Sequence, residues 1–245
     1  MDNKKTKVAI SWSGGKDGCL ALYRTLKAGK KVECLISMVS EKHERNHAHG
    51  LRLEILEHQA KALGIPLVLV NSGNDYERSL IEALSDLKQD KGVDEIVFGS
   101  LYAQEDRKWN EEVTRKAGLS PSFPVWISEG ESSQLLKEFI TLGFSAVVCR
   151  ASANVFDSSW AGRMLDWAFF ESIHNKQDCC VMGEAGEYHT FVMDGPIFSK
   201  KIHLVKSGVV LNSGLWSLDI EDCQLLEKKG GIELINQFQG YMRFT

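Results

Sequence analysis

Along the first half of the chain, short apolar runs alternate with segments whose apolar residues recur every three or four positions. Val8-Ala9-Ile10 reads as a buried strand, and Cys19, Leu22, Tyr23 and Leu26 share one face of a helix predicted over 17–28. VECLISMV at 32–39 is a second apolar run. A polar loop then leads to a helix carrying Leu53, Leu56, Ala60 and Leu63, with Gly64 as its stop. PLVLV at 66–70 and EIVFG at 95–99 read as strands, with helices predicted over 76–87 and 103–117 and Gly118 ending the latter. Apolar strands separated by amphipathic helices imply parallel strands joined by right-handed crossovers, with helices on both faces. The expected fold is a doubly wound, Rossmann-like α/β domain over 1–125, binding ligands beyond the carboxyl ends of its strands.

The rhythm changes after SPSFPVW at 120–126, which holds two of the four prolines. A helix with Leu135, Leu136, Phe139 and Ile140 on one face and the strand SAVVC still fit the earlier pattern. An aromatic-rich helix is predicted over 159–173, then a glycine-acid loop, GEAGEYHTF. KKIHLVKSGVVLNSGLWSLDI alternates as an antiparallel hairpin turned at Asn212-Ser213-Gly214. These elements predict a smaller α+β domain over 126–245.

Composition narrows the function classes. A net charge of -4 argues against a general DNA or RNA binder, whose footprint is usually basic. No apolar run approaches the ~20 residues that span a bilayer, and MDNKKTKVAISW enters a strand instead of a signal-peptide core, so the expectation is cytoplasmic. None of the six cysteines forms a CxxC pair, which leaves buried reduced thiols as the expected state.

The most informative stretch is SWSGGKDGCLALY at 11–23. It places Gly14 and Gly15 at a strand-to-helix turn, followed by Lys16 and Asp17. Small residues there aim backbone N–H groups into one concavity, and the helix start adds its positive dipole end, so the turn favours phosphate. The spacing excludes a Walker A loop, because Asp17 follows Lys16, and a dinucleotide GxGxxG, because the two glycines are adjacent. In GEAGEYHTF, Glu184, Glu187 and His189 lie within six positions, a set able to hold a cation, orient an ammonium ion or move protons. KHERNHAHG, with His43, His47 and His49, reads as a solvated loop after the second strand that forms a wall or lid of the site.

SGGKD resembles the PP-loop of the ATP pyrophosphatases. LISMVSE, QAKALGIPL, FGSL, FPVW, SSWAGRMLD and GEAGEYHTFV, in collinear order, resemble the diphthine–ammonia ligase family, departing from it with Ala185 in a glycine slot and with His189 where an acid can stand, a histidine form that resembles bacterial-type relatives. The resemblance implies an enzyme that adenylates a carboxylate, converting ATP to AMP and pyrophosphate, and then transfers ammonia to it. It implies that Ser11, Ser13, Gly14, Gly15, Lys16 and Asp17 hold ATP, with adenine near Met38 and Gly99. Mg²⁺ would screen the phosphates, and Asp17 either binds that metal or caps the helix. Lys16, Asp17, Glu187 and His189 are the catalytic candidates. Ser40, Glu41, His49, Trp160, Gly162, Arg163, Gly183, Glu184, Gly186, Glu187 and Thr190 are candidates for the substrate. The partners implied are ammonium and, in an archaeal or eukaryotic cell, diphthine on elongation factor 2; a bacterial setting leaves the carboxylate unnamed. A tRNA-modifying PP-loop enzyme would bring paired catalytic cysteines or a basic appendage. A non-catalytic ATP sensor gives no reason for GEAGEYHTF.

Overall fold

The computed structural model describes residues 5–40, 44–47, 49–177 and 179–228. Its first sheet holds β1 (Lys7–Ser11), β2 (Lys31–Ser40), β3 (Arg45–Asn46), β4 (Leu67–Asn71), β5 (Glu95–Val97) and β6 (Ser120–Ser122). The parallel strands run in the order β4-β2-β1-β5-β6, and the short β3 adds antiparallel to the end of β2. The chain thus winds outward from β1 to β4 and returns on the other side of β1 with β5. At that reversal the connecting loops diverge and leave a crevice.

Both faces of this sheet are covered. Val8 and Ile10 join a core cluster with Leu20 and Leu22 of α1 (Lys16–Lys27) and Leu56 of α2 (Leu53–Leu63). Ala9 falls in the opposite cluster, with Leu84 of α3 (Tyr76–Lys91) and Val113 of α4 (Gln104–Lys116). Alternate residues of one strand feed two apolar layers, which is why β1 reads as a continuous apolar run.

The second sheet is antiparallel, in the order β8-β7-β10-β9, from β7 (Ser145–Ser152), β8 (Tyr188–Asp194), β9 (Lys200–Asn212) and β10 (Leu215–Glu227). The expected hairpin is present, with Ser213 at φ 50 and Gly214 at φ 77, as a two-residue type I′ turn requires. Phe139 of α5 (Ser132–Thr141), Phe169 of α6 (Trp167–His174), Phe191 and Phe198 belong to the same core cluster as Ile10. The smaller sheet therefore packs on the α1/α2 face.

The aromatic stretch corrects the sequence expectation. Instead of one helix over 159–173, a 3-10 turn (Ser158–Trp160) precedes an irregular stretch, and α6 begins only at Trp167. Gly162 takes φ +89, its N–H bonds to Val148, the Val148 N–H bonds to Arg163, and Asp166 caps α6 through the Phe169 N–H. Pairing with β7 outcompetes the helical spacing of the aromatic residues.

Candidate functional site

A cavity of about 570 Å³ opens at the carboxyl ends of β1, β2 and β5. Ser11, Ser13 and Asp17 line it from the first turn, Met38 from β2, and Gly99 from the end of β5. Gly14, Gly15 and Lys16, the other residues that the sequence assigns to ATP, do not line it. Gly14 (φ +87) turns the chain, and Gly15 caps α1 without any side-chain acceptor. The Lys16 N–H instead donates to Thr190 Oγ1 of β8 at 3.0 Å, so the second sheet completes the helix start. Gly99 is required by crowding: a Cβ there would lie 2.8 Å from Gly18 N and 2.9 Å from the Asp17 carbonyl carbon. Gly99→Ala is expected to push α1 from β5 and weaken nucleotide binding by roughly tenfold or more. Calorimetric titration with ATP measures this, and an unchanged affinity would show that the nucleotide avoids the junction.

The loop after β2 is not solvated as expected. The Asn46 side chain donates to the Ser13 carbonyl (2.9 Å) and accepts from the Leu51 N–H (2.9 Å), folding the loop onto the glycine turn. His47 bonds Ser72 Oγ at 2.8 Å and packs edge-on to Tyr76. His49 is buried, its Nδ1 2.8 Å from the Thr190 carbonyl and its ring 4.8 Å from that of His189. Asn46 and His47 do form a wall of the cavity, as the wall-or-lid reading expects. His43 and Glu41 lie outside the described residues.

Three carboxylates face the cavity, Asp106 from the start of α4 and two, Asp17 and Glu184, with raised carboxyls. Asp17 is pushed up from the usual carboxylate range by burial, against the pull of Lys16, whose ammonium lies 3.0 Å from its Oδ2; its Oδ1 is buried without a partner. Glu184 is raised by burial and then by the charge of Asp17, and accepts from the Leu101 N–H. Among the described residues, no group of three or more His, Cys, Asp or Glu side chains could hold a metal ion. Mg²⁺ commonly takes one or two carboxylates and completes its shell with phosphates and water, so an orphaned Asp17 oxygen beside Glu184 fits it.

Both histidines are neutral at pH 7. Burial, then the charges of Lys16 and Arg150, brings His189 down to about 4; burial, then His189, holds His49 well below its ordinary value. An unfolded histidine titrates near ~6.5, so between ~6.5 and ~4 the unfolded chain binds more protons and stability falls on acidification. Asp17 and Glu184 run the other way, because their raised carboxyls retain a proton that the unfolded chain has lost. His189→Gln is expected to recover roughly 1–2 kcal/mol of the loss between pH 7 and 4.5, after discounting for solvent at the partly exposed ring. Urea denaturation at both pH values tests this; an unchanged slope would contradict a neutral His189.

Other candidates are placed differently. Glu187 is buried, one oxygen accepting from the Cys180 N–H (2.6 Å) and Oε2 unpartnered, and it lines neither this cavity nor a second one, lined by Arg45, His49 and Arg150. Gly183 and Gly186 shape its loop, with φ +67 and +83. Ser40 ends β2 without lining either cavity. Trp160, Gly162 and Arg163 reach neither: the Arg163 guanidinium stacks on Trp160 and Phe169 and donates to Ser172 Oγ, bracing α6. Sequence reasoning missed Tyr76, Trp109 and Asn110, which line the cavity's outer end. It also missed Gln59, whose position on the apolar face of α2 was the available signal.

A glycine turn between strand and helix at a switch point, with Asp17 and Glu184 facing the crevice, has the architecture of the PP-loop class. The chain belongs to the diphthamide synthase family: the family's N-terminal domain matches residues 6–121 and its C-terminal domain residues 131–229. Among curated proteins it is similar to the Homo sapiens diphthine–ammonia ligase, 26% identical over 231 residues that cover 84% of this chain and 86% of that one. The Danio rerio diphthine–ammonia ligase is 25% identical, covering 82% and 87%. The Schizosaccharomyces pombe protein of that name is 24% identical over 82% of this chain and 36% of its own length. A solved isoflavone reductase overlaps 49% of this chain and 35% of its own at a TM-score of 0.32 and 18% identity, too little to bear on the fold or the function.

Proposed function

We propose that the protein is an amide-forming ligase that adenylates a carboxylate and passes ammonia to it, with diphthine on elongation factor 2 as the carboxylate. The observation that carries this reading is the cavity beyond β1, β2 and β5, which Ser13, Asp17 and Glu184 line. Residues 1–125 are assigned to ATP and residues 126–245 to the acyl substrate. The names of the relatives support the substrate and the nitrogen source.

In this reading a carboxylate oxygen attacks the α-phosphorus of ATP, the bond to the bridging oxygen breaks, and pyrophosphate leaves. Backbone N–H groups of the Ser13–Gly15 turn and the Lys16 ammonium stabilise the charge that builds on the phosphates. Asp17 and Glu184 would hold Mg²⁺, which supplies charge neutralisation at those oxygens when bound. Ammonia then attacks the acyl carbon, AMP leaves, and one proton is released. Neither acceptor candidate is suited to take it: Glu187 lines neither cavity, and His189 at about 4 is too weak a base at neutral pH, so the proton is assigned to solvent. His189 is assigned to positioning beside His49.

The test is product analysis with ATP, ammonium and diphthine-bearing elongation factor 2. AMP, pyrophosphate and amide in equal amounts are expected. ADP and phosphate instead would place the cleavage at the wrong bond and sink the reading.

A further inference from the structure

We infer that two copies of the chain pair edge to edge through β9, joining their four-stranded sheets into one of eight strands. The two edges of the sheet differ. At β8 the outward backbone groups are taken: the Val192 N–H donates to the Gly14 carbonyl (3.0 Å), the Val192 carbonyl accepts from Gln59 (2.7 Å), and the Thr190 carbonyl bonds His49 Nδ1 (2.8 Å). β9 is the other edge. Among the described residues, no hydrogen bond from outside the β9–β10 ladder reaches the backbone of 205–212. Asn212 and Leu215 flank the two-residue turn and so form a hydrogen-bonded pair. Bonded and non-bonded pairs alternate from there, which leaves the N–H and C=O groups of Leu211, Val209 and Ser207 pointing away from β10.

Composition marks this edge as one to be covered. Edges that stay in water are blunted by lysine, proline or a bulge. The ladder has register shifts between Ile220 and Cys223, but none between Leu215 and Ile220. Residues 207–218, SGVVLNSGLWSL, hold neither a charge nor a proline. Val209 is 44% and Leu211 55% exposed. Both stand on one face, beside Leu218 and Trp216 of β10, their partners in register.

A second copy is the occupant this edge fits. An antiparallel strand edge is its own complement about a two-fold axis. With the axis at Val209, Ser207 pairs with Leu211 of the second copy and Val209 with its own counterpart, each pair exchanging both N–H···O bonds. Lys206, the nearest charge along β9, then faces Asn212, so no like charges meet. On the apolar face Leu218 and Val209 of one copy continue into Val209 and Leu218 of the other, an unbroken row across the four central strands. Leu211 and Trp216 widen that strip towards the ~800 Å² per partner that a stable interface needs. Because the β8 edge is already capped, pairing closes at two copies instead of growing into a fibre.

Sedimentation velocity of the full chain from ~1 to ~100 µM, a range that spans micromolar association, tests this. A species of twice the 27.4 kDa chain mass is expected for the wild type. Val209→Lys and Val209→Glu each set two like charges face to face at the axis and are expected to weaken the dimer at least tenfold. An equal mixture of the two is expected to dimerise again, because lysine then faces glutamate across the axis. Wild-type protein that stays monomeric throughout would overturn the inference, and this arm needs no variant to fold. So would Val209→Lys dimerising as tightly as the wild type, or a mixture no tighter than either variant alone. In a monomeric wild type, slow deuterium exchange at the Val209 and Leu211 amides would assign the edge to the chain's own residues instead.

Discussion

Lys16→Met is expected to suppress AMP release from ATP by roughly 10³-fold or more, the scale on which lost transition-state donors are felt. The Lys16 side chain is only 3% exposed; its ammonium lies 3.0 Å from Asp17 Oδ2 and 5.0 Å above the Tyr188 ring. Removing it takes away the cation that would balance the departing pyrophosphate. It also leaves the Asp17 carboxylate buried without its partner, so that Asp17 is driven further towards the protonated form. A protonated Asp17 is a poor ligand for Mg²⁺, so one substitution removes two functions. Methionine keeps the apolar stem against Tyr188, which should preserve the fold. Quantifying AMP by chromatography, with ATP affinity and thermal melting measured separately, distinguishes lost chemistry from lost structure. Activity within tenfold of wild type would remove Lys16 from the reaction.

The sequence exposed the parts of this site that local chemistry dictates. Ser13-Gly14-Gly15-Lys16-Asp17 follows an apolar strand and opens a helix, and each of those signals is carried by neighbours in the chain. Strand and helix limits shift by a few residues: EIVFG continues past Glu95–Val97, where Phe98 makes a last bond to the Ser122 carbonyl and, with Gly99, lines the cavity. The failures have another origin. Trp160, Trp167, Phe169 and Phe170 satisfy helical periodicity, but the backbone between Trp160 and Trp167, at Gly162, Arg163 and Leu165, is claimed by hydrogen bonds to Val148 and Ala146. His47 and His49 look solvated in a polar loop until Asn46 ties that loop to Ser13. Asp17 and Glu184 stand far apart in the chain, and only the packing of the second sheet against α1 brings both to one cavity. Distant pairing leaves no periodic trace, so Thr190 as the hydroxyl that completes α1 was legible only as part of a motif.

Packing also decides how firmly the glycine turn is held, and one side chain concentrates that role. Gln59 is fully buried; its Oε1 accepts from Trp12 Nε1 (2.9 Å), and its Nε2 donates to the carbonyls of Gly14 (2.9 Å) and Val192 (2.7 Å). The Val192 N–H meets the same Gly14 carbonyl at 3.0 Å. Helix α2, the turn after β1 and strand β8 are thus joined at one amide. In Gln59→Leu, Gly14 keeps one bond, but Trp12 Nε1 and the Val192 carbonyl lose the partner that Gln59 supplied. Orphaning two such buried groups costs roughly 2–5 kcal/mol, which corresponds to a fall in Tm of roughly 5–15 °C for a chain of this size. Gln59→Glu retains an acceptor for Trp12 yet turns a carboxylate towards two carbonyls, so it should be no milder at pH 7 and should partly recover as the carboxyl protonates on acidification. Melting curves across pH separate that from a loss of apolar packing, which acidification would not restore. A Gln59→Leu protein melting within 2 °C of wild type and binding ATP normally would show that the turn holds its shape without this bridge.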